Sequence, residues 1–220
     1  MVERIVSLAG IRRGERVLEI GTGKGALTRE LSRVASEIEA YEVDKASFEE
    51  TRTAVGRKVK LHLADAFRET PRFDVLVSSL PYSRSSSFIE WISRMHYDRA
   101  IVLLQADFVR KVGSPPGSRD YRAISVIAQA STDVAVLGGV PRSAFLPQPR
   151  VDTLIVSLKP KLRLSLREIE SVKRLFALRR RTVAAAMGKL AASFEGDWSV
   201  RRVYSLTPEE ALEHARTLKR

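Results

Sequence analysis

Through the first 160 positions the apolar residues fall in short runs separated by stretches with helical spacing. The runs at 16–20, 37–41, 59–63, 73–78 and 100–104 have the length and composition of strands, and those at about 26–34, 46–55 and 86–94 predict helices. Strands alternating with helices in this way predict a parallel sheet with crossover helices. Two later runs, 133–137 and 151–158, predict a closing pair of strands. The second alternates strictly enough to be an antiparallel or edge addition. After Lys159-Pro160 the pattern changes: Leu166, Ile169, Val172, Leu175 and Phe176 share one face of a helix over 165–178, and 182–190 and 208–218 read as further helices. Thr207-Pro208-Glu209-Glu210 joins a capping hydroxyl, a first-turn proline and acids placed against the helix dipole. The expected organisation is an α/β domain over 1–158 and a small all-helical domain over 159–220.

Composition narrows the chemistry. The 220 residues include no Cys, which excludes disulfides, thiolate metal centres and a thiol nucleophile. His62, His96 and His214 are scattered, so no metal site or histidine triad is expected. Asn is absent and Gln occurs only at 105, 129 and 148, a depletion of heat-labile amides that points to a hot habitat. The longest aliphatic run, 100–104, is too short to cross a bilayer and residues 1–13 lack a signal-peptide stretch, so a cytoplasmic protein is expected. The formal charge of +12 favours a polyanionic partner, and 15 basic against 7 acidic residues lie beyond position 158, net +8.

Glu19-Ile20-Gly21-Thr22-Gly23-Lys24-Gly25 follows a predicted strand and opens a helix, as a turn that lets a nucleotide-like ligand approach the backbone does. Three ligands compete for it. A phosphate loop needs Ser or Thr after the Lys, and Gly25 stands there. A dinucleotide fits Gly21, Gly23 and Ala26, with Glu42 as a ribose-binding acid. S-adenosylmethionine fits the same glycines together with Glu19, Glu42 at the end of strand two and Asp65 at the end of strand three. Glu42 can accept from both ribose hydroxyls and Asp65 from the adenine amine, although Asp65 can equally cap a turn and Asp44 a helix.

Strand four ends in Ser78-Ser79-Leu80-Pro81-Tyr82, at the sheet edge where open α/β proteins bind ligands. An exocyclic adenine amine is a poor nucleophile because its lone pair is delocalised into the ring. Acceptors aimed at its two N–H groups return density to nitrogen. The Leu80 carbonyl and the Ser79 side chain can supply them while Tyr82 stacks on an extruded base.

The chain resembles the kasugamycin-resistance family of small-subunit ribosomal RNA adenine dimethyltransferases over nearly its whole length, as a short member. Ser79-Leu80-Pro81-Tyr82 is similar to the family's Asn-Leu-Pro-Tyr, and Gln105 with the loop Pro116-Gly117-Ser118-Arg119-Asp120-Tyr121 to its basic loop. Phe145-Leu146-Pro147-Gln148-Pro149-Arg150-Val151-Asp152, Arg179-Arg180-Arg181-Thr182 and Ser205-Leu206-Thr207-Pro208-Glu209-Glu210 resemble three further family segments. The resemblance implies a Rossmann-like, S-adenosylmethionine-dependent methyltransferase sheet with helices on both faces, a small helical RNA-binding domain, and methylation of two adjacent adenosines near the RNA's 3′ end. It implies that Glu19, Gly21, Gly23, Gly25, Glu42, Asp65 and Ser79 hold the cofactor and that Ser79, Leu80, Pro81, Tyr82 and Phe145 form the reaction site. In that arrangement Tyr82 and Phe145 sandwich the target base. Arg110, Lys111, Arg119, Arg179, Arg180 and Arg181 are the expected phosphate contacts, and a pre-small-subunit particle bound by a monomer is the expected partner.

Two departures stand at the site. Position 79 is Ser where the family pattern has Asn, and only residues 1–15 precede strand one, without the family's Gly-Gln-x-Phe-Leu-like motif. A more open cofactor site is expected. A ribosome-assembly factor that binds RNA with reduced or lost turnover is the alternative, and a nicotinamide-dependent oxidoreductase rests on the glycine turn alone.

Overall fold

The computed structural model describes residues 1–144, 148, 151–193, 196 and 198–219. Their elements divide into two compact units, one formed by Met1–Phe88, Met95–Ala106 and Asp133–Pro160, the other by Ile89–Arg94, Asp107–Thr132 and Lys161–Arg220. The helical unit therefore also draws on residues before position 133, in addition to those after Pro160.

The first unit is built on a seven-stranded sheet. Its strands are β1 (Arg16–Ile20), β2 (Glu37–Glu42), β3 (Val59–Leu63), β4 (Val75–Ser79), β5 (Arg99–Gln105), β6 (Thr132–Val140) and β7 (Thr153–Pro160), in the spatial order β3-β2-β1-β4-β5-β7-β6. The first five are parallel, and β7 runs antiparallel to β5 with Val102 opposite Val156. The expected closing pair is present and its second member is antiparallel. That strand lies inside the sheet, however, and β6 takes the edge. Chain order reverses between β1 and β4, which opens a crevice at their carboxyl ends.

Helices α1 (Val2–Ala9), α2 (Ala26–Val34) and α3 (Lys45–Ala54) belong to this unit, and α4 (Ser85–Ile92) follows β4. Ile5, Val6 and Ala9 of α1 join Leu27 and Leu31 of α2 against Val17, Ile38, Val75 and Ile101. Each buried Val, Leu or Ile among them contributes about 1.5–3 kcal/mol. Arg99 secures α1 to the sheet: its guanidinium donates to the carbonyls of Ala9 and Gly10 and pairs with Glu15 at 2.7 Å. That hydrogen bond, outweighing desolvation, pulls the Glu15 carboxyl down to about 2.

In the second unit, α5 (Ala106–Val112), α6 (Ala123–Ser131), α7 (Leu166–Ala177), α8 (Val183–Lys189) and α9 (Pro208–Thr217) surround a core that includes Tyr121, Ile127, Val172, Leu175, Met187 and Leu212. Ser165 with Glu168, and Thr207 with Glu210, form reciprocal caps at the starts of α7 and α9. Among the described residues no helix is long and apolar enough to cross a membrane.

Candidate active site

The glycine turn follows β1 at the crevice. Gly21 has φ +77°, its amide donates to the Tyr41 carbonyl at 2.8 Å, and a Cβ there would lie 3.7 Å from Pro81 Cδ. Two loops from the switch point thus meet at Gly21, where the left-handed φ rather than crowding favours glycine. Gly25, at φ +73°, forms the N-cap of α2, and a Cβ on it would meet Thr51 Oγ1 at 3.2 Å. The same Thr51 hydroxyl donates to the Gly23 carbonyl at 2.8 Å, tying the turn to α3.

Glu42 closes β2 and is buried. One carboxylate oxygen accepts from Gly23 N at 2.9 Å, the other from Val43 N at 2.8 Å and Asp44 N at 2.9 Å. Three of its roughly four lone-pair directions are thus taken, and the one left, on the oxygen that meets Gly23, can take a hydroxyl of a diol. The next residue, Val43, is 68% exposed, an apolar surface offered beside a carboxylate. Asp65 follows β3 by two residues and does two jobs at once. Its Oδ1 accepts from Phe67 N at 3.0 Å, capping a short 3-10 turn, and both oxygens accept from Arg84 Nη2 at 2.9 and 2.8 Å. Asp44 caps α3 by accepting from Ser47 N at 2.8 Å.

On the other side of the crevice, the Ser78 hydroxyl donates to the Ile20 carbonyl at 2.5 Å and locks the end of β4 to the end of β1. Ser79 is half-buried, Leu80 buried and Pro81 exposed. Tyr82 opens the 3-10 turn Tyr82–Arg84, and Phe145 lies outside the described residues.

These segments enclose a cleft of about 370 Å³ whose lining includes Gly21, Gly23, Glu42, Asp65, Ser79, Leu80 and Pro81. Its volume is that of a small-molecule site. Glu19 and Gly25 do not line it. Glu19 is fully buried without a well-formed hydrogen bond to either oxygen, and Thr22 and Thr28 are buried with hydroxyls in the same condition. Burial pushes the Glu19 carboxyl up to about 8, against the smaller pull of the Thr28 hydroxyl. The lining suits S-adenosylmethionine: a ribose acceptor in Glu42, an amine acceptor in Asp65 and an exposed apolar platform in Val43.

Within the helical unit, the basic residues fall into two groups. Arg119, Arg179 and Arg180 line a pocket of about 460 Å³ with Gly117, Ser118, Arg202 and Tyr204. Pairing of the main chain at 179–183 with that at 201–204 builds it, through Tyr204 N to Arg179 O and Val203 N to Arg181 O, both 3.1 Å, and Gly117 N to Tyr204 O at 2.8 Å closes the loop onto it. Desolvation first, then the charges of Arg122 and Arg180, lowers the pKa of the Arg179 guanidinium. Four guanidiniums around one hollow concentrate positive charge there. Arg181 lines a neighbouring hollow with Arg179 and Arg180. Arg110 and Lys111 are exposed on α5 and outside both cavities, with Arg110 paired to Asp107.

Sequence reasoning missed Arg84, Phe67 and Val43 at the cleft and Arg202 and Tyr204 at the basic pocket. Val43 adjoins Glu42 and Arg84 follows the Ser-Leu-Pro-Tyr motif by two, so both had a local signal. Arg202 reaches Arg180 only through the fold.

Residues 1–219 match the family model described as ribosomal RNA adenine dimethylase. A probable ribosomal RNA small subunit methyltransferase A from Thermococcus gammatolerans is 35% identical, the match covering 97% of this chain and 82% of that protein. One of the same description from Pyrococcus abyssi is 33% identical, over 97% and 85%. The crystal structure of a dimethyladenosine transferase from Plasmodium falciparum shares the fold at a TM-score of 0.78 and 22% identity, covering 96% of this chain and 92% of that one.

Proposed function

The chain belongs to the ribosomal RNA adenine dimethylase family, and on that premise we propose how its cleft and basic pocket divide the work. It is an S-adenosylmethionine-dependent ribosomal RNA adenine methyltransferase. The observation that carries the site assignment is the cleft at the β1/β4 switch point, where the acceptors Glu42 and Asp65 and the Ser79-Leu80-Pro81 segment line one space.

When bound, S-adenosylmethionine supplies an electrophilic methyl group on a sulfonium centre. Glu42 accepts from a ribose hydroxyl while keeping its three backbone amides, so the same carboxylate shapes the glycine turn and reads the sugar. Asp65 accepts from the cofactor's adenine amine. The Leu80 carbonyl and the Ser79 hydroxyl accept from the N–H groups of the target adenine, localising its lone pair on nitrogen, and Tyr82 and Phe145 hold the base between their rings. Because a hydroxyl is shorter than the family's carboxamide, Ser79 reaches the amine at longer range. Positioning of the two reactants supplies most of the rate.

Arg119, Arg179, Arg180 and Arg202 take RNA phosphates in the basic pocket, with Arg110, Lys111 and Arg181 as outlying cations. The substrate is two adjacent adenosines near the 3′ end of small-subunit RNA, met in a pre-subunit particle by a monomeric enzyme. Incubation with methyl-labelled S-adenosylmethionine and undermethylated small subunits tests this. Label at the two adjacent adenosines is expected, and binding of the particle without incorporation would leave only an assembly factor.

A further inference from the structure

One guanidinium covers both features of the cleft that a purine would use. Arg84 Nη2 lies 2.9 and 2.8 Å from the two Asp65 oxygens, and its guanidinium carbon sits 4.7 Å from the centre of the Phe67 ring. With Phe67 N on Oδ1 as well, three of the carboxylate's roughly four lone-pair directions are taken. A guanidinium is planar, donates N–H groups from its edge and stacks on aromatic faces. In those respects it resembles the amine edge of adenine. Arg84 is also placed to leave: its side chain is 41% exposed and Asp65 26%, so neither is locked in by packing. No other residue is needed to hold Asp65 in shape, because the Phe67 amide already fixes it.

We propose that Arg84 is an intramolecular competitor for the adenine end of the cofactor cleft. In the free protein it occupies Asp65 and stacks on Phe67, and the adenosyl group binds by displacing it. The inference rests on the assignment of the cleft to S-adenosylmethionine and adds a residue that sets the affinity for it. A partly exposed ion pair and a partly exposed cation–π contact are each modest, so their loss on binding weakens the cofactor by roughly three- to tenfold.

The test is calorimetric titration of the full chain with S-adenosylhomocysteine, which carries the same adenosyl group. Arg84→Ala is expected to bind about three- to tenfold more tightly than the unaltered protein, and Arg84→Lys, which keeps the charge without the planar stack, to fall between. Salt provides a second readout that leaves the sequence intact. Screening weakens an exposed pair, so the affinity of the unaltered protein rises with salt while that of Arg84→Ala stays flat. Thermal unfolding of each variant confirms that it is folded. Equal or weaker binding by Arg84→Ala overturns the competitor role and leaves the cleft assignment standing. Absence of binding by both proteins overturns the cleft assignment and the competitor with it.

Discussion

Glu42 and Gly23 are joined across the mouth of the cleft by a 2.9 Å hydrogen bond in which the glycine amide donates to the carboxylate. The contact makes the second strand responsible for the shape of the turn after the first. Glu42→Ala leaves three amides without their acceptor. It is expected to cost about 2 kcal/mol in urea unfolding and to weaken S-adenosylhomocysteine binding by roughly tenfold or more in calorimetry. Unchanged ligand affinity would contradict the ribose assignment.

Glu19 sets a pH dependence. Its carboxyl titrates near 4.5 in the unfolded chain and is pushed up to about 8 by burial in the folded protein. Between those values the folded state holds a proton that the unfolded state has released, so this group makes stability fall as pH rises through the window. Glu19→Gln is neutral throughout. The stability of the variant relative to the unaltered protein, measured by denaturant titration at several pH values from 5 to 8, is expected to increase with pH. A constant difference would contradict it.

Gly25 sits at φ +73° with Thr51 Oγ1 at 3.2 Å from the place of a Cβ. Gly25→Ala is expected to destabilise the protein by about 1–2 kcal/mol, as strain in the left-handed region and crowding of the threonine add together. Gly56, with no neighbour within 4 Å of its Cβ position and no positive φ, is the control site for thermal unfolding.

Ser79→Asn lengthens the acceptor at the reaction site. The expected result is preserved or raised kcat for methylation of small-subunit RNA. A loss of about tenfold or more would contradict the hydrogen-bonding role given to this position.

Arg202 faces Arg179 and Arg180 in the basic pocket. Arg202→Ala is expected to weaken binding of small-subunit RNA and to lower the slope of log affinity against log salt by roughly one, with little effect on S-adenosylhomocysteine affinity. An unchanged slope would place the RNA elsewhere.

Much of this was legible from local sequence. The bounds of β1, β3 and α2 coincide with the expected runs 16–20, 59–63 and 26–34: the glycine turn ends β1, apolar and polar residues alternate along β3, and α2 has helical spacing. The cleft's glycines and acids were visible because they sit at strand ends, which chain order alone locates. Helix α1 is not among the expected helices, although Val2, Ile5, Val6 and Ala9 lie at helical spacing. Helix α6 is buried on nearly every side, from Ser125 through Ser131, so its sequence shows no polar face for the period to reveal. Helix α5 begins at Ala106 directly after β5 ends at Gln105, with no breaker between them. The insertion of β7 between β5 and β6, the Arg84–Asp65 pair and the meeting of Arg202 with Arg180 are all long-range pairings. Local residue patterns carry no record of them.

The most direct measurement is a crystal structure of the full chain with S-adenosylhomocysteine. A ribose hydroxyl on Glu42, the adenine amine on Asp65 in place of Arg84, and the sulfur facing the Ser79-Leu80 segment are expected. A ligand bound outside this cleft, or seated in it with Glu42 out of reach of the sugar, would contradict this arrangement.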